Sequence, residues 1–229
     1  MDKIECTDKM QELLFNIPLF KDLPSNIKQT LLQKLDCQFF HIGKKEIIAR
    51  QNTPCKYLYV LLEGKLRTDI IDALGNEILI EYIEAPRTFA TPHLFSADCT
   101  LPATFTVLEE GVLLTATKES FFRLFAQEPG ILRNFLRITG NCTHCTVKRL
   151  RMLSYKSIRS RIVAYLMEHR QAGSDTVTVV QNQQQLAEYL GVTRPALSKE
   201  INKMAKENLI RLDTPKVHLL APDVLQQFI

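Results

Sequence analysis

The sequence contains no apolar run of about 18 uncharged residues, so it has no candidate transmembrane helix and no membrane partner is expected. Its first residues, Met1 to Cys6, lack the apolar core of a signal peptide, and we expect a cytoplasmic protein. Six cysteines in 229 residues are too few for a disulfide framework, so they should be thiols or ligands. The length favours two modest domains.

Motifs of the common hydrolases and nucleotide-binding enzymes are also missing. The sequence has no Walker loop, no Gly-x-Ser-x-Gly and no His-Glu-x-x-His. Its five histidines are far apart and include no His-x-His pair, which a metal-dependent β-roll catalyst would need. We therefore predict that the chain is not an enzyme and assign no catalytic residue and no metal ligand.

Charge is unevenly distributed along the chain. Residues 147–229 carry 13 basic and 7 acidic side chains, whereas residues 1–146 carry 16 and 18. A basic second half suggests contact with a polyanion, and a solvated charged face is the alternative.

The spacing of apolar residues changes twice along the chain. Up to residue 36 it is helical, and from Phe39 to about Thr117 short β-type runs alternate with glycines, which is typical of a sandwich or barrel. Four of these runs are Tyr57 to Leu62, Leu66 to Ile71, Thr104 to Leu108 and Val112 to Thr115.

A long helical pattern follows from Ile131 to about Leu153 and carries two apolar stripes. Two stripes require two covering surfaces, such as the chain's own β-domain and a partner helix, although both could face one intrachain core. We expect self-association through this helix and assign it to the first stripe. The first stripe is Phe135, Ile138, Cys142, Cys145 and Met152, and the second is Leu132, Leu136, Leu150 and Leu153.

Residues Gln183 to Asn208 have the pattern of a helix-turn-helix. A short helix ends at Leu190, Gly191 supplies the turn, and Thr193 is a good N-cap for a second helix, in which Pro195 is tolerated in the first turn. Asn208 to Leu212 and Val217 to Leu220 then indicate a two-stranded wing. The candidate DNA-binding residues are Gln183, Thr193, Arg194, Ser198, Lys199, Asn202 and Lys203.

A basic run without acidic residues precedes this motif. It could face DNA phosphates, but we favour solvation of the hinge for most of it. The run comprises Lys148, Arg149, Arg151, Lys156, Arg159 and Arg161.

The whole chain resembles the CRP/FNR family of bacterial transcription regulators. The resemblance is carried by Gly43 to Ile48, Leu58 to Lys65 and Leu186 to Ile210, and it covers residues 15–228. It implies an α+β protein with a jelly-roll-like double-stranded β-roll, a long dimerisation helix and a winged helix-turn-helix. It also implies a homodimer that binds double-stranded DNA at two half-sites under control of a small-molecule or redox signal, with RNA polymerase as a further partner.

On this resemblance we expect three regions. Residues 1–130 would form the effector-sensing β-roll with its N-terminal helices, residues 131–155 the dimerisation helix, and residues 156–229 the DNA-binding domain. Arg194, Ser198 and Lys199 fall where the family usually makes base contacts. Pro195 stands where many members have an acidic base-reading residue, so the operator should differ.

The sensory region departs from the cyclic-nucleotide-binding members. Ala90 and Thr91 stand where those members have Gly-Glu, and no arginine precedes Ala103. A buried cyclic phosphate would lack its charge-assisted partner, so control by cyclic AMP is not expected. A ligand pocket and a self-filled core both remain open. The candidate pocket residues implied by the family geometry are Phe89, Thr91, His93, Phe95, Cys99, Thr104 and, from the long helix, Thr146.

The cofactor is left unassigned. Some relatives bind haem, and His93 is the candidate ligand here, but a lone histidine is more often an ordinary polar residue. An iron–sulfur cluster needs about four converging thiolates, and Cys142 and Cys145 could supply them only as two pairs across a dyad. We favour small packing residues at these two positions over haem or iron–sulfur binding.

A second function remains as an alternative to DNA binding. The chain could be a ligand-binding regulatory module that acts through a protein partner. The donor-rich face that begins at Arg194 argues against this alternative, and salt-dependent binding would discriminate the two.

Overall fold

A computed structural model describes residues 1–171 and 173–229, apart from the side chains at positions 144, 145, 148 and 149. It divides into two compact units, Met1–Thr143 and His144–Ile229, which we describe separately. None of the described helices has a stretch long and apolar enough to cross a membrane.

The first unit is built on an antiparallel sheet with helices at both ends of its sequence. The elements are β1 (Asp2–Ile4), α1 (Asp8–Asn16), α2 (Ser25–Lys34), β2 (Cys37–Ile42), β3 (Ile47–Ala49), β4 (Tyr57–Ile71), β5 (Glu77–Glu84), β6 (Arg87–Phe89), β7 (Thr104–Thr117) and α3 (Lys118–Gln127). The strand order is β1-β2-β7-β4-β5, with β3 paired to β7 and β6 paired to β4. A short 3-10 turn at Thr91–His93 follows β6.

Strands β4 and β7 are each longer than the sequence pattern suggests. The four separate runs predicted within these segments form two continuous strands that pair along most of their length. Gly64 and Gly111 lie inside the strands, where a Cβ on Gly111 would overlap the carbonyl oxygen of Glu63. The glycines therefore mark a close approach of two backbones with register shifts, and not the turns expected from sequence.

Helix α4 (Pro129–Ser154) belongs to both units and confirms the predicted long helix. Our assignment of its first stripe to a partner helix is wrong for two residues. Phe135 is 7% exposed and packs with Phe121 and Phe125 in the core of the first unit, and Met152 is 3% exposed in the core of the second. The helical spacing of apolar residues predicts two stripes on α4 but does not show which of them faces the chain's own core.

Between those two residues the first stripe is less deeply buried. Ile138 packs partly against the core of the first unit, and Cys142 is half-buried. The side chain of Cys145 lies outside the described residues.

The opposite side of α4 carries large exposed apolar side chains, which we call the heptad face because they recur at spacings of three, four or their sums. The predicted member Leu153 is not part of it, since it packs partly into the core of the second unit. The heptad face comprises Leu132, Leu136, Val147 and Leu150, whose exposed fractions are 38%, 59%, 59% and 69%.

The second unit has the architecture of a winged helix-turn-helix. Its elements after α4 are α5 (Ile158–His169), β8 (Thr176–Thr178), α6 (Gln183–Leu190), α7 (Arg194–Lys206), β9 (Ile210–Asp213), β10 (Lys216–Leu219) and α8 (Pro222–Gln226). The strands form an antiparallel sheet with the order β8-β10-β9, which packs with these four helices around one apolar core. The predicted helices and strands are present with boundaries shifted by a few residues.

Candidate nucleic-acid interface

The ends of α6 and α7 are fixed by local hydrogen bonds. Asn182 and Gln185 form a reciprocal capping box at the start of α6, in which the Asn182 side chain accepts from the Gln185 backbone N–H at 2.9 Å. Gly191 ends α6 with a φ of 66°, in the left-handed region that favours glycine. Thr193 caps α7 by accepting from the backbone N–H of Ala196, as the sequence predicts. The turn between the two helices is therefore set by sequence.

Apolar packing holds α7 by one face only. Leu197 and Met204 on α7 are fully buried, and they pack in one cluster with Ala187 and Leu190 of α6, which are also fully buried. The methyl side chain of Ala187 lets the two helices approach closely. The opposite face of α7 is thereby left in solvent.

That solvent-facing side, which we call the recognition face, carries most of the predicted DNA-binding side chains. Arg194, Lys199, Asn202 and Lys203 are exposed, and Ser198 is half-buried. Gln183 and Thr193, also predicted, are exposed at the first turn of α6 and at the N-cap of α7. The face offers cationic and amide donors that match the acceptors of base edges and phosphates.

Two carboxylates of the same region share one arginine of the same unit. Arg159 of α5 donates from Nε to Glu200 of α7 at 2.6 Å and from Nη1 to Glu207 at 2.7 Å. The hydrogen bond from Arg159 is the main reason why the pKa of Glu207 is lowered. Arg159 thus offsets one of the two negative charges that these acids bring next to the recognition face.

Arg161 has a related supporting role in the turn. Its Nη1 donates to the carbonyl oxygens of Leu190 at 3.1 Å and Gly191 at 3.3 Å, and its Nε donates to Tyr155. These bonds satisfy carbonyls at the end of α6, next to the turn that orients α7. For Arg159 and Arg161, neither solvation nor phosphate contact describes the observed role. Sequence reasoning missed these partners because they are far away along the chain.

The wing is a short hairpin beside α7. Strands β9 and β10 are antiparallel, with Ile210 opposite Leu219 at one end and Asp213 opposite Lys216 at the other. Arg211 and Lys216 are exposed on this hairpin. The imidazole of His218 lies between the Thr176 hydroxyl at 3.0 Å and the Asp213 carboxylate at 3.5 Å. The hairpin adds two exposed cations to the basic unit.

Aromatic rings occupy the interior of the first unit near the predicted effector pocket. Phe89 is 4% exposed, stacks on Tyr59 with 5.2 Å between ring centroids, and packs against Phe105 in a tilted arrangement at 5.0 Å. Next to Phe89, Ala90 has a positive φ of 52° and Thr91 is buried. At the two positions where the resemblance led us to compare this chain with a Gly-Glu pair, the structure therefore has a methyl group and a buried hydroxyl.

The other predicted pocket residues differ in their surroundings. Thr104 is buried, and its hydroxyl accepts from the Gln51 backbone N–H at 3.1 Å. Phe95 packs among the rings of α3 and α4. His93 is half-buried, and burial lowers its pKa so that the neutral ring is favoured. Thr146 is exposed in the second unit.

No group of three or more potential metal ligands is brought together among the described residues. Of the candidate cluster ligands, Cys142 is half-buried on α4, while the side chain of Cys145 is outside the described set. The described side chains therefore do not outline a metal centre, and a site across a dyad is not tested by a single chain.

Comparison with known proteins agrees with this two-part architecture. Sequence models of the cyclic nucleotide-binding domain and of the Crp-like helix-turn-helix domain match residues 39–128 and 160–228. The probable transcriptional regulator flp of Lacticaseibacillus casei is 26% identical over 221 residues, which cover 93% of this chain and 95% of that protein.

Two solved structures show the same fold. A CooA mutant from Carboxydothermus hydrogenoformans aligns with a TM-score of 0.69 and 19% identity over 98% of this chain and 97% of its own. The catabolite activator protein of Thermus thermophilus aligns with a TM-score of 0.54 and 21% identity over 92% and 97%. The two matched domains, in this order and over most of the chain, place the protein in the CRP/FNR family of transcriptional regulators.

Proposed function

We propose that the protein is a homodimeric regulator that reads a two-fold DNA operator with α7, under control of a signal other than cyclic AMP. The observation that carries this proposal is the recognition face. It is exposed along one side of a helix whose other side is buried, and its neighbouring acids are bound by Arg159. Donors near the N-terminus of such a helix lie closest to base edges in the major groove.

The heptad face supports pairing of two chains. Four large apolar side chains exposed along one helix are a surface that a second copy of the same helix can bury. Gly140 lies within this stretch, and a Cβ there would meet nothing within 4 Å. A partner backbone therefore has room to approach. By analogy with the family, RNA polymerase is the expected further partner.

The composition of the β-roll supports a signal other than cyclic AMP. Thr91 can donate one hydrogen bond but cannot accept as a carboxylate does, and no arginine precedes Ala103. A cyclic phosphate buried there would be left without a guanidinium partner, at a cost of several kcal/mol.

The test removes two donors from the recognition face. In Arg194→Ala/Lys199→Ala we expect operator affinity to fall by at least tenfold, since each good base contact contributes about 1–3 kcal/mol. Affinity is measured by fluorescence anisotropy over a series of salt concentrations. The wild-type affinity should fall steeply as salt rises because phosphate contacts release counterions.

The matched control is Lys44→Ala/Lys56→Ala, which removes two exposed cations from the first unit. This control should bind the operator as the wild type does. Equal binding by Arg194→Ala/Lys199→Ala would refute the assigned surface. Binding that ignores salt would favour the alternative of a regulatory module that acts through a protein partner.

A further inference from the structure

A sulfur and an ammonium lie in direct contact in the first unit, away from the recognition face. The Nζ of Lys118 lies 3.0 Å from the Sγ of Cys99, and the same sulfur lies 2.8 Å from the carbonyl oxygen of Ser96. Cys99 is half-buried, so a small solute can reach it. A cation in contact with a partly exposed sulfur is the kind of surrounding in which reactive cysteines are found.

The cation is held in place by its surroundings. Lys118 is the first residue of α3, and its backbone N–H donates to the carbonyl of Lys56 at 3.1 Å. Its ammonium also lies over the ring of Phe95, 5.4 Å from the centroid. Contact with Cys99 therefore does not depend on a freely rotating surface side chain.

The backbone of a second cysteine lies beside that of the first. The backbone N–H of Cys55 donates to the carbonyl of Cys99 at 2.7 Å, and Pro54 pairs with Thr100 in an antiparallel bridge. Residues on directly adjacent antiparallel segments have Cα atoms about 4.5–5.5 Å apart. That separation lies within the range that a disulfide spans.

The environments of the two thiols differ in a way that divides their roles. Burial raises the pKa of Cys55 to about 11, with a further rise from Cys99 and a smaller opposing effect of Lys118. Cys55 is 2% exposed and remains protonated at neutral pH. It is suited to react second, once its neighbour has been oxidised.

We propose that Cys99 and Cys55 are an oxidisable dithiol, in which Lys118 activates Cys99 toward a hydroperoxide. The Cys99 thiolate attacks the terminal oxygen of the hydroperoxide, the O–O bond breaks, and the alkoxide leaves and takes a proton to become an alcohol. Cys99 is thereby oxidised by two electrons to a sulfenic acid. The Cys55 sulfur, on losing its proton, then attacks the Cys99 sulfur, and the S–O bond breaks with release of water.

Another pair of cysteines provides an internal comparison. Extending the register of β1 and β2 places Cys6 opposite Cys37. Burial is the main reason why the pKa of both thiols is raised. Asp8 raises the pKa of Cys6 further against an opposing hydrogen bond from Gln11, and Asp36 raises that of Cys37. This pair has the opposite electrostatic setting to Cys99 and should react more slowly with a hydroperoxide.

The test uses the full-length protein, reduced and freed of reductant, with hydrogen peroxide as the probe. Thiol counting and mass spectrometry of digested protein should show loss of two of the six thiols and a cross-link between the peptides that carry Cys55 and Cys99. In Cys55→Ala the second step is blocked, so dimedone should trap a sulfenic acid at Cys99. The dithiol chemistry can succeed or fail whether or not the chain binds DNA.

The role of the cation is tested by Lys118→Met, for which we expect oxidation about tenfold slower than in the wild type. Lys118→Arg keeps the charge and should oxidise nearly as fast, and Lys56→Met is the control for a neighbouring exposed lysine. The proposal is overturned if Cys99 stays reduced in the folded wild type, or if Cys6 and Cys37 couple while Cys55 and Cys99 remain thiols. An unchanged rate in folded Lys118→Met would also overturn it. If that variant does not fold, the wild-type cross-link still decides.

Discussion

Single residues determine the charge that α7 presents to solvent. Arg159 bonds Glu200 and Glu207, and its guanidinium also lies 5.2 Å from the ring centroid of Phe228. Arg161 binds the carbonyls at the end of α6. Both arginines belong to a basic run that sequence alone could read only as solvated or phosphate-facing. Their acceptors become visible only when α5, α6 and α7 pack together.

The ion pair between Arg159 and Glu207 predicts a pH dependence of stability. The folded-state pKa of Glu207 is lowered below its ordinary value of 4.5, so its contribution is present above that value and is lost as pH falls through the lowered pKa. Arg159→Met removes this contribution. The stability difference between wild type and Arg159→Met should therefore be largest near neutral pH and shrink on acidification.

Urea midpoints measured between about pH 6 and about pH 3 check this expectation. Arg211→Met is the control, because it removes an exposed guanidinium from the same unit. Its difference from the wild type should not vary with pH. A difference for Arg159→Met that stays constant across the series would show that Glu207 is not stabilised by this pair.

At the scale of secondary-structure elements, the helix-turn-helix follows from local chemistry. The turn glycine, the cap at Thr193 and the capping box at Asn182 are short-range signals, and the structure forms each of them. The long strands do not follow in this way. In the sequence, Gly64 and Gly111 have the positions of turn residues. The pairing of β4 with β7 shows that a Cβ at either position would overlap the backbone of the neighbouring strand.

The close approach of β4 and β7 predicts that one added methyl group at Gly111 strongly lowers the stability of the protein. In Gly111→Ala the new Cβ would overlap the Glu63 carbonyl, and both atoms belong to paired backbone that cannot easily move. We expect a loss of about 2–4 kcal/mol in the free energy of unfolding. Gly43→Ala is the matched control, since its Cβ would meet only Glu46 side-chain atoms at 3.8 Å or more. Thermal melting of both variants decides, and equal stability would contradict the proposed close approach.

If two chains pair through the heptad face, a charge placed on it should weaken the dimer. A glutamate in place of Leu150, which is 69% exposed, would place a charge inside the proposed helix pair without disturbing either core. Leu150→Glu should shift the protein toward monomer, as measured by sedimentation equilibrium. Val180→Glu, at a side chain 79% exposed in the same unit, should leave the mass unchanged. A Leu150→Glu protein with the wild-type mass would rule out this face as the dimer contact.

For the whole molecule, the sequence identified the family and the order of its parts, because the domain motifs are local and the comparisons agree with them. It could not say which stripe of α4 is left exposed, since that depends on where Phe135 and Met152 pack. Nor could it say whether the β-roll holds a ligand. In the structure the rings of Tyr59, Phe89 and Phe105 pack together in that interior.

The central claim is that α7 reads DNA from two symmetric copies of the chain. Selection of bound duplexes from a random pool, followed by footprinting of the enriched sequence, tests it most directly. We predict an inverted repeat with half-sites about 34 Å apart, bound by two chains and lost in Arg194→Ala/Lys199→Ala. Enrichment of no sequence, or of a single unrepeated site that the double variant still protects, would contradict it.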